Sequence, residues 1–143
     1  MAMYPRIEHR HLSALADNVI EGVVPCLSIR QPWAHRILHE GKDVENRDWR
    51  HRFRGFFLIH AGVSTEELAA SQMHLPRGGI VGLAQIVDCV DRWESEWFVG
   101  RYGFVLHNAL ALDLTPCRGK LGFFYLDRDT NALVAETVRR AVA

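Results

Sequence analysis

Residues 9–21 place Leu12, Leu15, Ala16, Val19 and Ile20 on one stripe. That i, i+3, i+4, i+7 recurrence predicts an amphipathic helix. Gly22 ends it, and Pro25 reopens the chain as extended. Cys26–Arg30 then reads as a short strand. Gln31-Pro32-Trp33 predicts a helix start, because Pro32 lacks an N–H that the first helical turn cannot pair anyway. Trp33, Ile37 and Leu38 follow at helical spacing, and Gly41 is the stop. Lys42–Arg47 reads as extended. Gly55–Ala61 is a strand by its aromatic and β-branched content. Ser64-Thr65-Glu66-Glu67 has capping-box form and predicts a short helix to about Met73. Gly79–Val90, Tyr102–Leu112 and Gly122–Leu126 read as strands, while Glu94–Val99 follows neither period. Asp129 or Thr130 caps a last helix with Leu133, Val134, Val138 and Val142 along one side.

Helices and strands do not alternate as parallel βαβ units require, and short loops join the later strands. The order predicts an α+β fold: a small, curved, mostly antiparallel sheet or barrel with helices at its ends. With 143 residues, 48 % hydrophobic and 24 % charged, the chain suits one packed domain and excludes disorder throughout. No apolar run reaches the roughly 18 residues of a membrane span, and Met1–His11 carries no apolar leader core. Cys26, Cys89 and Cys117 are odd in number and form no C-x-x-C pair. A disulfide framework or a cysteine zinc site is therefore not indicated, and a reducing cytoplasm is expected.

Net charge is zero, so no overall basic field argues for a nucleic-acid partner. The charge is nonetheless uneven. Only Lys42 and Lys120 of the 17 basic residues are lysines, and residues 47–54 hold four arginines against one aspartate. Such a cluster is either a solvated turn or a basic edge, on which Arg50, Arg52 and Arg54 would contact the backbone if RNA is the partner. Around one short helix the chain gathers Arg30, Gln31, Trp33, Lys42, Glu45, Asn46 and Arg47. A cation, a carboxylate and a carboxamide together can clamp a polar heterocycle or a phosphate. An indole such as Trp33 or Trp49 can stack on a base. The structural alternative pairs Glu45 with Arg47 or Arg30 in a buried salt bridge and places Trp33 in the core. Unbroken strand alternation would put Glu45 and Arg47 on one face, with Lys42, Val44 and Asn46 on the other.

Leu27-Ser-Ile-Arg-Gln-Pro-Trp-Ala34, then Lys42-x-x-Glu45-x-Arg47, then Arg54-Gly-x-x-Leu-Ile-His-Ala-Gly62 resembles the ASCH domain, a relative of the PUA RNA-binding domain. The Gly79-Ile-Val-Gly82 strand, Asp88-Cys-Val90 and Gly119-x-x-Gly-Phe-Phe-Tyr125 fit as well. The family pattern is Gly-x-Lys-x-x-Glu-x-Arg; here Gly41 directly precedes Lys42 and Glu40 stands at the family glycine. The resemblance covers roughly residues 24–126. It implies a PUA-like barrel there; residues 1–23 and 127–143 lie outside it and read as an added N-terminal helical extension and a C-terminal helix packed on the same domain. It also implies a cleft beside the Lys-Glu-Arg motif, RNA or a nucleoside as ligand, and, in some members, RNA hydrolysis. A short-chain branch acts as amidohydrolases on N-acylated cytidine, with Thr three residues after the Lys; here Glu45 stands there.

On this basis Lys42 and Glu45 are candidate catalytic residues, Lys42 as nucleophile or base. Arg30, Gln31, Trp33, Asn46, Arg47 and His60 are candidate substrate-binding residues. His60 shares a strand face with Phe56 and Leu58, which points to a core-edge position; turned into the cleft it would serve as acid or base. His35 and His39 have i, i+4 spacing that suits zinc, but no third ligand lies near them in sequence. His9-x-His11 is a weaker pair. No metal or cofactor is called for. The chain carries no G-x-S-x-G, Walker loop or H-E-x-x-H. Three uses remain: an RNA or nucleotide binder, a hydrolase of RNA or of a modified nucleoside, and a regulatory interaction domain.

Overall fold

The structure, a computed structural model, describes residues 9–142, with side chains from residue 14 onward. The side chains of His9, His11 and Leu12 lie outside the described residues. The elements run α1 (His9–Ile20), β1 (Cys26–Ile29), α2 (Trp33–His39), β2 (Val44–Arg47), β3 (Gly55–Ala61), β4 (Gly79–Val90), β5 (Tyr102–Pro116), β6 (Phe123–Phe124) and α3 (Arg128–Val142). The strands form one mixed sheet in the order β2-β5-β4-β3-β1-β6. β1 runs parallel to β3, and every other pairing is antiparallel. The sheet curls into a half-barrel, and the α+β class and PUA-like shape expected from the sequence are what is seen.

The curl has a local cause. The β4–β5 ladder slips register at Ile80/Gly82, Leu83/Gln85 and Ile86/Asp88. Each irregularity adds twist and bends the strand. Gly82 also lets α2 approach, since a Cβ there would meet Leu38 at 2.5 Å.

Alternation along the strands sorts side chains into two cores. Cys26, Leu58, Ile80 and Leu83 face α1 and α3; Leu27, Ile29, Phe57 and Ile59 face the barrel interior with Ala34 and Ile37 of α2. Val19, Val134 and Val138 are wholly buried where α1 meets α3. Each such side chain contributes about 1.5–3 kcal/mol. The Arg139–Asp17 pair on the same seam is exposed, at 3.6 Å, and is worth about 0–1 kcal/mol. Apolar burial therefore holds the terminal helices together. Burial pushes the Cys26 thiol up to about 12, so it is an inert core group, and all three cysteines are free.

Several local expectations are corrected. No helix runs from Ser64 to Met73. The Ser64 hydroxyl does accept from the Glu66 N–H at 3.3 Å, but the segment has only a 3₁₀ turn at Ala70–Gln72. Most of its side chains are exposed, and without an apolar face to bury a short helix is not stable. Asp127, not Asp129 or Thr130, caps α3, accepting from the Thr130 N–H at 2.7 Å; hydrogen bonds from Thr130 hold its carboxyl below the ordinary range. The strand expected at Gly122–Leu126 shortens to Phe123–Phe124, and β5 extends on to Pro116. Leu133 points to solvent. Among the described residues no helix is long and apolar enough to cross a membrane.

Candidate functional site

β2 and β6 are the two edges of the curled sheet, and β1 lies next to β6. Curling brings β2 back toward β1. Arg47 closes the gap: its Nη2 donates to the Ser28 carbonyl of β1 at 2.7 Å, and its Nε to Glu45 Oε2 at 2.9 Å. Phe104 of β5 stacks on Phe123 of β6 across the same seam, 6.3 Å between centroids. A cleft of about 770 Å³ opens along this seam.

Its floor is Lys42, Glu45 and Arg47. Alternation does not govern Lys42, because it precedes β2 and the strand period begins only at Val44. Its chain turns back, Nζ donating to the Val44 carbonyl and lying 3.6 Å from Glu45 Oε1. Unbroken alternation therefore does not reach back to Lys42, and Lys42, Glu45 and Arg47 meet in one cleft. Lys42 and Glu45 are both buried. The carboxylate stands between two cations, so each buried charge has a partner and none bears the full cost of desolvation alone. Burial pushes the Lys42 ammonium below its ordinary pKa, and Arg47 adds to this; Glu45 and Asp43 pull the other way.

Two indoles stand in the wall. Trp33 opens α2, and Trp97 comes from the loop joining β4 to β5. The Arg36 guanidinium lies 5.7 Å from one ring and 5.6 Å from the other, which couples the helix to the loop. Trp33 Nε1 donates to Glu67 Oε2, and Arg30 Nη1 to Glu66 Oε2 at 3.0 Å. Arg30, Lys42 and Arg47 in the lining face Glu45, Glu67 and Glu96. The cleft is close to charge balance.

Other expected site residues stand elsewhere. Gln31 is buried outside the lining: its Oε1 accepts from the His35 N–H at 2.8 Å, and its Nε2 donates to the Pro76 carbonyl at 3.0 Å. It caps the first turn of α2 and ties down the loop between β3 and β4. Asn46 borders the cleft, but its carboxamide is spent on the β4–β5 loop, donating to the Trp97 carbonyl at 2.9 Å and accepting from the Val99 N–H at 3.0 Å. His60 is buried on the α1/α3 face, against Phe124. Its Nε2 meets the Cys117 carbonyl and its Nδ1 the Ser28 hydroxyl, both at 2.9 Å. The carbonyl can only accept, so Nε2 carries a proton, and both ring nitrogens are engaged within the fold. Arg50, Arg52 and Arg54 lie outside the cleft. Arg54 donates to the His51 and Phe53 carbonyls, Arg50 lies 3.7 Å from Asp91, and Arg52 is exposed. His35 pairs with Glu40 at 3.4 Å. Among the described residues no group of three or more His, Cys, Asp or Glu could hold a metal ion.

Trp97, Glu67, Val99 and Leu121 line the cleft without having been singled out from the sequence. Trp97 did leave a signal: a large aromatic in an acidic stretch that follows no core period. Asp43 is the other omission. Its carboxylate accepts from Ser95 Oγ at 2.7 Å and Trp93 Nε1 at 3.3 Å, anchoring the loop that carries Trp97.

Among protein families, the ASCH domain model matches residues 27–112. That span runs from β1 into β5 and includes the cleft floor and both indoles. No curated protein matches the chain.

Proposed function

We propose that this chain, which belongs to the ASCH domain family, binds single-stranded RNA by taking an unpaired base into the seam cleft. The family is linked to RNA binding. One observation carries the reading for this chain: two indoles stand in the wall above a buried Lys42–Glu45–Arg47 floor. An indole stacks on the face of any base, and the floor offers donors and an acceptor to a base edge. The near-neutral lining favours a neutral heterocycle over a bare phosphate, whose charge needs a surplus of cations. A duplex keeps its bases stacked inside, so the cleft calls for a loop, an end or an unpaired strand.

The test is direct titration with single-stranded and duplex RNA of the same sequence. The single strand is expected to bind tighter. Trp33→Ala should weaken it by about 1–3 kcal/mol, the usual worth of one base stacked on an aromatic. Equal affinity for the duplex, or a Trp33→Ala variant that binds as well as wild type, sinks the reading.

A hydrolytic use of the same cleft has one specific support, the Lys42 amine held below its ordinary pKa by burial. A lysine so placed is more available as a base or nucleophile. If the cleft cleaves its ligand, Lys42→Ala should lower turnover by on the order of 10²–10⁴. If the cleft only binds, the same change shows in affinity alone.

A further inference from the structure

The cleft does not end at Arg47. A second, shallower concavity of about 380 Å³ shares Asn46, Arg47 and Val99 with it and continues to Trp49 and Arg101. The two form one trough with a partition between them. That partition is fixed, because Asn46 is bonded to the β4–β5 loop and Arg47 to Glu45 and the β1 backbone.

Charge differs along the trough. The cleft is balanced with Arg47 counted there against Glu45, whereas the second concavity adds Arg101, opposed by the exposed carboxylate of Asp48. Beyond it, Arg101 and Arg50 lie over the same Tyr102 ring, 5.2 and 5.0 Å from its centroid. Arg50 also meets Asp91 at 3.7 Å with both side chains exposed, a pairing too weak to withhold it from an anion. Arg47 lies 5.9 Å from the Trp49 ring, so the trough continues as alternating guanidinium and aromatic surface. Such a surface suits a nucleic-acid strand, in which flat bases alternate with anionic links.

We infer that the trough holds at least two consecutive nucleotides. One base enters the balanced cleft and the next nucleotide lies in the second concavity beside Trp49. The phosphate between them crosses the partition near Arg47 and Arg101, and the strand leaves over Arg101 and Arg50. The inference rests on the RNA reading above and specifies the ligand as an oligonucleotide, with a nucleoside filling only half the trough.

The four ribonucleosides and the matching dinucleoside monophosphates, titrated into the full chain and into Arg101→Ser, test it. A dinucleoside monophosphate is expected to bind at least tenfold tighter than its nucleoside. Arg101→Ser should cut that ratio toward one. Equal affinities, or a ratio that Arg101→Ser leaves intact, overturn the two-nucleotide trough and leave the base-binding cleft standing. No binding by any of these compounds, or binding that Trp33→Ala does not weaken, overturns the RNA reading and this inference together.

Discussion

Lys42 carries a cost that can be measured. Burial disfavours its charged form more than Glu45 and Asp43 restore it, so the folded protein releases this proton below the ordinary pKa of 10.5. Between the depressed value and the unfolded one, the unfolded chain binds more protons. The contribution of this group to stability therefore rises with pH across that window. Below the depressed value the charge is present in both states, and the folded state bears its desolvation. Lys42→Met keeps the aliphatic stem and removes the titration. In urea unfolding, the stability of wild type relative to Lys42→Met should grow from pH 7 to pH 10; a constant difference would mean that the ammonium is not depressed. The variant should also fold. Glu45 keeps its 2.9 Å bond to Arg47, so the loss should fall well short of the roughly 3–5 kcal/mol that follows when a buried charge is orphaned. RNA affinity should drop in the same variant, because the floor loses its central donor.

The β4–β5 loop is the element on which the cleft depends, and β2 holds it. Asp43 fixes Trp93 and Ser95, and Asn46 fixes Trp97 and Val99. Asn46→Ala removes two of these bonds, one part-buried to the Trp97 carbonyl and one exposed from the Val99 N–H; the carbonyl left unsatisfied costs about 1–3 kcal/mol. Amide exchange at Val99 should quicken, and RNA affinity should fall through misplacement of Trp97; unchanged exchange would show that the loop is held by other means. This loop also marks where reading the sequence stopped. Gly55–Ala61 and Gly79–Val90 were legible to the residue, because each is a long apolar strand bounded by turn residues. The cleft floor was legible because Lys42, Glu45 and Arg47 lie within six positions. The far wall was not. Asp43 meets Ser95 across 52 positions and Asn46 meets Trp97 across 51, and no local period encodes such contacts. At Ser64 the error ran the other way: the local capping signal is real, but nothing apolar behind it rewards a helix. Gln31 and Asn46 were recognised as polar residues of consequence, yet their bonds go to the backbone of α2 and of two loops, and that geometry follows from tertiary folding alone.

Curling the sheet sorts the charges of a chain of zero net charge into a balanced seam and an arginine-rich edge beside it. The seam gathers Arg30, Lys42 and Arg47 among matched carboxylates, and the arginines of residues 47–54 continue outward from it. On the RNA reading proposed above, electrostatic affinity comes from the few phosphates outside the cleft, and it should be modest and steep in salt. Each phosphate neutralised on a single strand adds about −0.7 to the slope of log K against log salt. Converting Arg50, Arg52 and Arg54 together to Ser removes up to three contacts and should flatten the slope by up to about 2. The three are not equivalent. Arg50 is held loosely by an exposed carboxylate and Arg52 is exposed, so both can turn to a passing strand. Arg54 donates from Nη1 to two backbone carbonyls at 2.9 Å, which ties its side chain to the turn and leaves it less free to follow a strand, although Nε and Nη2 remain available. The Arg50→Ser/Arg52→Ser double variant should therefore account for most of the flattening, up to about 1.4 of it. Binding isotherms at four or more salt concentrations separate the cases. A slope that stays unchanged in the triple variant would place the strand on another surface. One that falls only when Arg54 is included would show that the strand runs over the turn at residues 51–54 and not over Arg50 and Arg52.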